Sequence, residues 1–151
     1  VTTLVLGCGA DTRIPGAVHL DRFPFSDIQV TYDLNIAPWP FCSDSFDRIV
    51  AHDIIEHIDN AVQFVEECHR LLVAGGKLEV RTACWLARQS YTDPTHRHWF
   101  NEESFDFFVP DTFWSKKYWW YSKARFQKES FAHVSDSEIA WVLVAIKEVA
   151  A

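Results

Sequence analysis

The feature that most constrains this chain is a rhythm in its first half, where short apolar runs are each cut off by a glycine or a polar residue. Thr3–Leu6 stops at Gly7, Ala17–Leu20 at Asp21, Ile28–Tyr32 at Asp33, and Phe46–Ala51 at His52 and Asp53. Short uninterrupted apolar runs of this kind suit strands buried on both faces, as in a parallel sheet. A fifth run, Lys77–Thr82, is announced by the Gly75-Gly76 turn. Between the fourth and fifth runs, Ala61, Val62, Phe64, Val65, Cys68, Leu71 and Leu72 recur at helical spacing, with Asp59 as the expected N-cap. A strand-helix-strand crossover predicts a parallel sheet with helices on both faces, and ligands bound beyond the carboxyl ends of its strands.

The second half is different in kind. Thirteen of the 23 aromatic residues fall between Tyr91 and Phe126, in a stretch broken by Pro94, Pro110 and Lys116-Lys117. A short helix is expected from Asn101, with Glu102 and Glu103 in its first turn. Tyr118–His133 and Glu138–Glu148 read as two antiparallel strands around Ser135-Asp136-Ser137. The 151 residues suffice for one domain, 1–151, with a lid-like aromatic insertion at about 85–115.

Bulk properties narrow the partners. A net charge of -7 disfavours nucleic acid, whose affinity comes from clustered Lys and Arg. The longest apolar stretch, Ile139–Ile146, is far short of the roughly 20 residues of a membrane span. Val1–Leu6 does not read as a signal peptide. Cys8, Cys42, Cys68 and Cys84 form no CxxC pair and suit reduced thiols in a cytoplasmic setting. Cys8 reads as a turn residue and the other three as buried apolar side chains. Asp44, Asp47 and Glu66-Glu67 read as solvated turns and a helix face.

Gly7-Cys8-Gly9 directly after a strand can let a ligand approach the backbone, although a purely structural turn gives the same pattern. Thr12 stands where a dinucleotide fingerprint would place a third glycine, which disfavours a nicotinamide oxidoreductase. Asp21 ends the second strand, where a carboxylate can accept both hydroxyls of a ribose or can cap a turn.

The segments LVLGCG at 4–9, GAVHLD at 16–21, YDL at 32–34, SFDRIVAHDIIEHI at 45–58 and HRLLVAGGKLEV at 69–80 together resemble the small class I S-adenosylmethionine-dependent methyltransferases, in the type 11-like subset. The resemblance implies a Rossmann-like sheet of strand order 3-2-1-4-5-7-6 with an antiparallel C-terminal hairpin. It also implies S-adenosylmethionine as cofactor, S-adenosylhomocysteine as product, and a cofactor site of Gly7, Cys8, Gly9, Asp21, Arg22, Asp33, Leu34, His52 and Asp53. Within it, Gly7 and Gly9 would face the methionine part, Asp21 the ribose, Asp33 with Leu34 the adenine edge, and His52 with Asp53 the far side. Two departures stand out: Val5 replaces an acid usual two residues before the first glycine, and Pro15-Gly16 in the short interval before Asp21 suggests a loop where the first helix usually lies.

Methyl transfer is an in-line displacement that needs alignment and exclusion of water, and a base where the acceptor must lose a proton. His57, His96 and His98 are the candidate catalytic residues, being histidines expected on the active face. His57 has a helix-start hydrogen bond as its alternative, and His96 with His98 a substrate clamp or a surface loop. Trp85, Tyr91, Trp99 and Phe100 are candidates for binding a small-molecule acceptor. Phe105, Phe107, Phe108, Phe113 and Trp114 read as lid core. Trp119, Trp120 and Tyr121, on an expected strand, would present one aromatic face for a homodimer. His96, His98, Asp53 and His57 offer metal-ligand atoms but match no metal signature, so no metal is expected. The reading is methyl transfer to an O, N or C atom of a small or medium-sized acceptor; a catalytically idle cofactor-binding partner subunit is the alternative.

Overall fold

Seven strands form one sheet: β1 (Thr3–Leu6), β2 (Val18–Asp21), β3 (Val30–Thr31), β4 (Phe46–His52), β5 (Leu72–Ala83), β6 (Arg125–His133) and β7 (Glu138–Ile146). Their order is β3-β2-β1-β4-β5-β7-β6, the order expected. The computed structural model describes residues 1–148, so the last three residues of the expected 1–151 unit lie outside the described residues. The first five strands run parallel, and β7 is antiparallel to both β5 and β6.

Register explains the core. Leu4, Ile49, Leu78 and Leu143 lie side by side across β1, β4, β5 and β7, and Leu6, Ala51, Val80 and Trp141 form the next row. All eight are buried. Helix α1 (Ala61–Leu71) lays Phe64, Val65, Cys68 and Leu71 into the same cluster. Burying a side chain of this size stabilises the fold by about 1.5–3 kcal/mol. The cap of α1 is Asn60 rather than Asp59: the Gln63 amide donates to Asn60 Oδ1 at 3.0 Å. Asp59 is engaged elsewhere, its carboxylate pairing with Arg97 Nε at 2.9 Å and its amide donating to Asn35.

The opposite face is covered differently. Val5, Cys8 and Val50 are packed by Ile14, Ala17 and Ile28, which lie on loops, so loops cover this part of the sheet while α1 packs against the other cluster. The turn at Pro15-Gly16, with Gly16 at φ +77°, brings the chain straight from β1 to β2. Farther along, this face carries paired charges, Arg48–Glu79 at 2.8 Å and Lys77–Glu129 at 2.9 Å, as suits a solvated sheet.

Several local expectations change. β3 has two residues only. Gly75-Gly76 lies inside β5, near a register irregularity opposite Phe46 and Arg48, instead of forming a turn before the strand. No helix starts at Asn101: its side chain accepts the Glu103 amide and its own amide donates to Ser104 Oγ, a local turn that competes with helix. The chain makes a 3-10 turn there instead, at Asp106–Phe108, after the short helix α2 (Gln89–Thr92) and before α3 (Phe113–Lys117), which Thr112 caps. Tyr118–Ala124 is not strand, so Trp119, Trp120 and Tyr121 do not alternate between faces; all three are exposed. Phe105 and Phe108 are core, whereas Phe113 is exposed. Cys42 is exposed, not buried; Cys8, Cys68 and Cys84 are buried, and all four are free thiols. Glu67 is buried, since its carboxylate takes two hydrogen bonds from Arg70 and one from the Trp39 amide at 2.7 Å. Among the described residues, no helix is long and apolar enough to cross a membrane.

Candidate functional site

The carboxyl ends of β1, β2 and β3 meet at a narrow slot lined by Gly7, Asp21, Arg22, Tyr32, Asp33, Leu34, Asn35, Ile54, His57 and Ile58. Gly7 is in the left-handed region at φ +59°, and a Cβ there would lie 2.5 Å from Ile54 Cγ1. Only glycine lets Ile54 rest on the turn. Gly9 is also left-handed, at φ +55°, but faces open space. Asp21 ties the two loops together, accepting the Gly9 amide on Oδ2 and the Phe23 amide on Oδ1, each at 2.9 Å. Each oxygen keeps a further lone pair for a ligand hydroxyl.

Five of the expected cofactor residues therefore converge: Gly7, Asp21, Arg22, Asp33 and Leu34. The other four do not line the slot. Gly9 sits in the adjoining turn, and Cys8 packs beneath the sheet with Val5 and Val50. His52 alternates with Ala51 onto that same second face, and Asp53 belongs to a neighbouring cleft. Tyr32, Asn35, Ile54, Ile58 and His57 complete the slot without having been singled out as cofactor residues. Ile54 had one available signal, an apolar residue immediately beyond the strand end that must pack on something.

The neighbouring cleft is larger, about 690 Å³, and polar; it opens beyond β4 and β5 between Asp53, Glu56, His57, Gln89, Asp93, His96 and Glu138. Asp53 adopts φ +54°, and its Oδ2 accepts from Arg81 Nη2 at 3.0 Å. The 3-10 turn Ile55–His57 then places Glu56 and His57 side by side. Glu56 is only 3% exposed, its Oε2 has no hydrogen-bond partner, and burial pushes its carboxyl up to about 7. The His57 and His96 rings meet edge to face, 4.7 Å between centroids. Thr95 Oγ1 lies 2.9 Å from His57 Nδ1 and donates to Asp93 Oδ1 at 2.7 Å, so it accepts the Nδ1 proton. His96 Nδ1 donates to the Ser90 carbonyl at 2.9 Å. Both rings are thereby held in the tautomer whose Nε2 carries a lone pair. Burial, then the neighbouring His96, hold His57 below the ordinary histidine range. His57 lines both the slot and the cleft.

His98 lies apart from both: its Nε2 donates to the Ile58 carbonyl at 2.7 Å. Tyr91 and Trp99 stack on each other at 5.8 Å, both exposed, and Trp99 Nε1 donates to the Ser90 carbonyl. Trp85 is partly exposed, its amide held by the Phe100 carbonyl. Phe100 is buried and lines a separate apolar cavity of about 170 Å³ with Ile55, Val62 and Phe105. Of the expected catalytic and acceptor residues, His57 and His96 line the cleft together with Glu56, whereas His98, Trp85, Tyr91, Trp99 and Phe100 are not part of its lining. Glu56 was missed by sequence reasoning, although a glutamate directly beside His57 was its available signal.

The family model described as Methyltransferase domain matches residues 19–80. No curated protein matches the chain. The fold is shared with many solved structures. One, an S-adenosylmethionine-dependent methyltransferase from Aquifex aeolicus, is 12% identical with a TM-score of 0.66 over 96% of this chain and 82% of its own. Another, from Archaeoglobus fulgidus and likewise an S-adenosylmethionine-dependent methyltransferase, is 13% identical with a TM-score of 0.64 over 95% and 85%. A third comes from the complex of the Haloferax volcanii Trm112 methyltransferase activator with a methyltransferase; it is 15% identical with a TM-score of 0.65 over 97% and 83%.

Proposed function

We propose that this chain, which has the fold of the class I S-adenosylmethionine-dependent methyltransferases, transfers a methyl group to a small or medium-sized acceptor bound in the polar cleft. The observation that carries this reading is the position of His57, a shared wall between the slot at the ends of β1 to β3 and the cleft at the ends of β4 and β5. In this assignment Gly7 borders the methionine part of the donor, the Asp21 carboxylate accepts the ribose hydroxyls, and Asp33 with Leu34 borders the adenine. The chemistry of the residues suits such a ligand: a left-handed glycine at a strand end, a carboxylate with spare lone pairs and an apolar wall of Ile54 and Ile58 border one slot of about 60 Å³, which would take part of the ligand and leave the rest on the open surface. The donor supplies an electrophilic methyl carbon.

The chain's own residues align and deprotonate. His57 and His96, with Nδ1 satisfied by Thr95 and Ser90, present basic Nε2 atoms that can take a proton from a hydroxyl or amine acceptor. We assign His98 a positioning part, since it ties the loop before Trp99 to the Ile58 carbonyl. Trp85, Tyr91 and Trp99 are proposed to flank the entering acceptor, with the 85–115 segment as a lid and Phe100 as its buried anchor.

Calorimetric titration with S-adenosylmethionine against NAD tests the reading. Binding of the former alone is expected, weakened at least about tenfold in Asp21→Ala because a charge-assisted hydrogen bond is worth about 1.5–3 kcal/mol. Absence of binding at millimolar concentration would sink it. A second reading, an idle cofactor-binding partner subunit, draws support from the loops in place of the first helix and from the partnered Haloferax relative. It calls for binding without turnover until a partner protein is added. The free thiols suit a cytoplasmic setting.

A further inference from the structure

We propose that Glu56, His57 and His96 form a binding site for one divalent transition-metal ion at the floor of the polar cleft. One ligand atom from each residue lies within 4.8 Å of the others. Nitrogen and oxygen ligands about 2.0–2.2 Å from a common zinc ion stand roughly 3–4 Å apart, so side-chain rotation of about an ångström completes the set. Three observations point to an ion and not merely to polar neighbours. First, Glu56 is buried and, although the Thr82 hydroxyl lies near enough to lower its carboxyl, Oε2 has no hydrogen bond of ordinary geometry, a deficit that a cation relieves. Second, both imidazoles are locked through Nδ1, by Thr95 with Asp93 behind it and by the Ser90 carbonyl, which is the outer-shell pattern of metal-binding histidines. Third, the ligands come from two rigidly placed segments, the 3-10 turn after β4 and the loop after α2, which are joined by hydrogen bonds from the Arg97 and His98 amides to the Glu56 carbonyl.

Two imidazoles and one carboxylate favour zinc over magnesium or calcium, which prefer all-oxygen shells; manganese, which accepts oxygen and imidazole ligands alike, serves as a paramagnetic stand-in. Three protein ligands leave coordination positions open toward the cleft, where the ion can hold and acidify a hydroxyl group of the acceptor. This role narrows the acceptor to an oxygen nucleophile and rests on the methyl-transfer reading; the site itself does not. With the ion bound, the imidazoles hold it in place of serving as bases: the hydroxyl proton passes to water in the open cleft, and the oxygen–methyl bond forms as the donor's carbon–sulfur bond breaks, releasing the neutral thioether.

The full chain, freed of metal with EDTA, is titrated calorimetrically with zinc chloride, manganese chloride and magnesium chloride. One equivalent of zinc or manganese is expected to bind, with affinity at least about tenfold lower in His96→Ala and in Glu56→Gln. Low substoichiometric Mn2+ should broaden the imidazole NMR signals of His57 and His96 before those of His19, His69 and His133, a measurement on the unaltered chain that stands even where a variant unfolds. No zinc or manganese binding, wild-type affinity in folded variants, or broadening centred on other histidines would overturn the site. S-adenosylhomocysteine titrated into the same samples separates the two proposals: binding without metal binding removes the metal site alone, and metal binding without nucleoside binding counts against methyl transfer alone.

Discussion

Gly7 and Gly9 have nearly the same backbone geometry and opposite surroundings, which makes them a matched pair. A methyl group at Gly7 meets Ile54 at 2.5 Å, and at Gly9 it meets nothing. Gly7→Ala is expected to cost roughly 3 kcal/mol or more from left-handed strain and overpacking, and Gly9→Ala about 1–2 kcal/mol from strain alone; urea denaturation of both variants checks the difference. A second prediction concerns Glu67. Burial alone would raise its carboxyl, but Arg70 and the Trp39 amide outweigh burial and hold it below the ordinary value of 4.5. The stabilisation is therefore whole above about pH 4.5 and is lost as pH falls through the lower folded value. Glu67→Gln should lose about 2–3 kcal/mol at pH 7 and progressively less in acid, measured by denaturation across that range. That Gly7, Asp21 and Asp33 share one slot was legible because each stands at or just past the carboxyl end of a parallel strand, where an open α/β sheet leaves a crevice. Ile54, Tyr32 and Glu56 were not, because their roles depend on which neighbouring strand end they lean toward. Glu67 looked like one more charge on a helix face until Trp39 folded over it.

Among the elements, α1 was readable from its apolar spacing, but its first residue was not, since Asp59 and Asn60 are both capable caps. The choice is made by contacts outside the helix, with Arg97 and Asn35 occupying Asp59. Asn60→Ala is expected to destabilise the protein by about 1 kcal/mol, and Asp59→Ala by less, because an exposed ion pair contributes little; thermal unfolding of the two variants distinguishes them. The reading of Tyr118–His133 as a single strand failed for a similar reason. Aromatic residues favour strands, yet here Phe107, Trp114, Tyr118 and Tyr121 stack on one another and keep the chain turning until Arg125. The missing helix at Asn101 shows the same competition between a local side-chain bond and a helical start.

On the scale of the whole molecule, the strand order was implied by the family resemblance, whose segments run in order through the first half. The chain is too short between β1 and β3 to place helices there, so loops cover Val5 and Val50. Trp119 and Trp120, 67% and 60% exposed, lie beside exposed Tyr121 and form an aromatic patch, which we propose as the face of a homodimer. Sedimentation should show concentration-dependent dimers that Trp119→Ser with Trp120→Ser abolishes, whereas a monomer at every concentration would remove that surface from the account. We propose that the slot holds the nucleoside and the cleft receives the acceptor, with His57 between them. A crystal structure with S-adenosylhomocysteine tests it most directly. The expected result has the ribose on Asp21, the adenine beside Asp33 and Leu34, and the sulfur directed past His57 toward His96 and Glu56; a nucleoside seated elsewhere, or a sulfur turned away from the cleft, would contradict it.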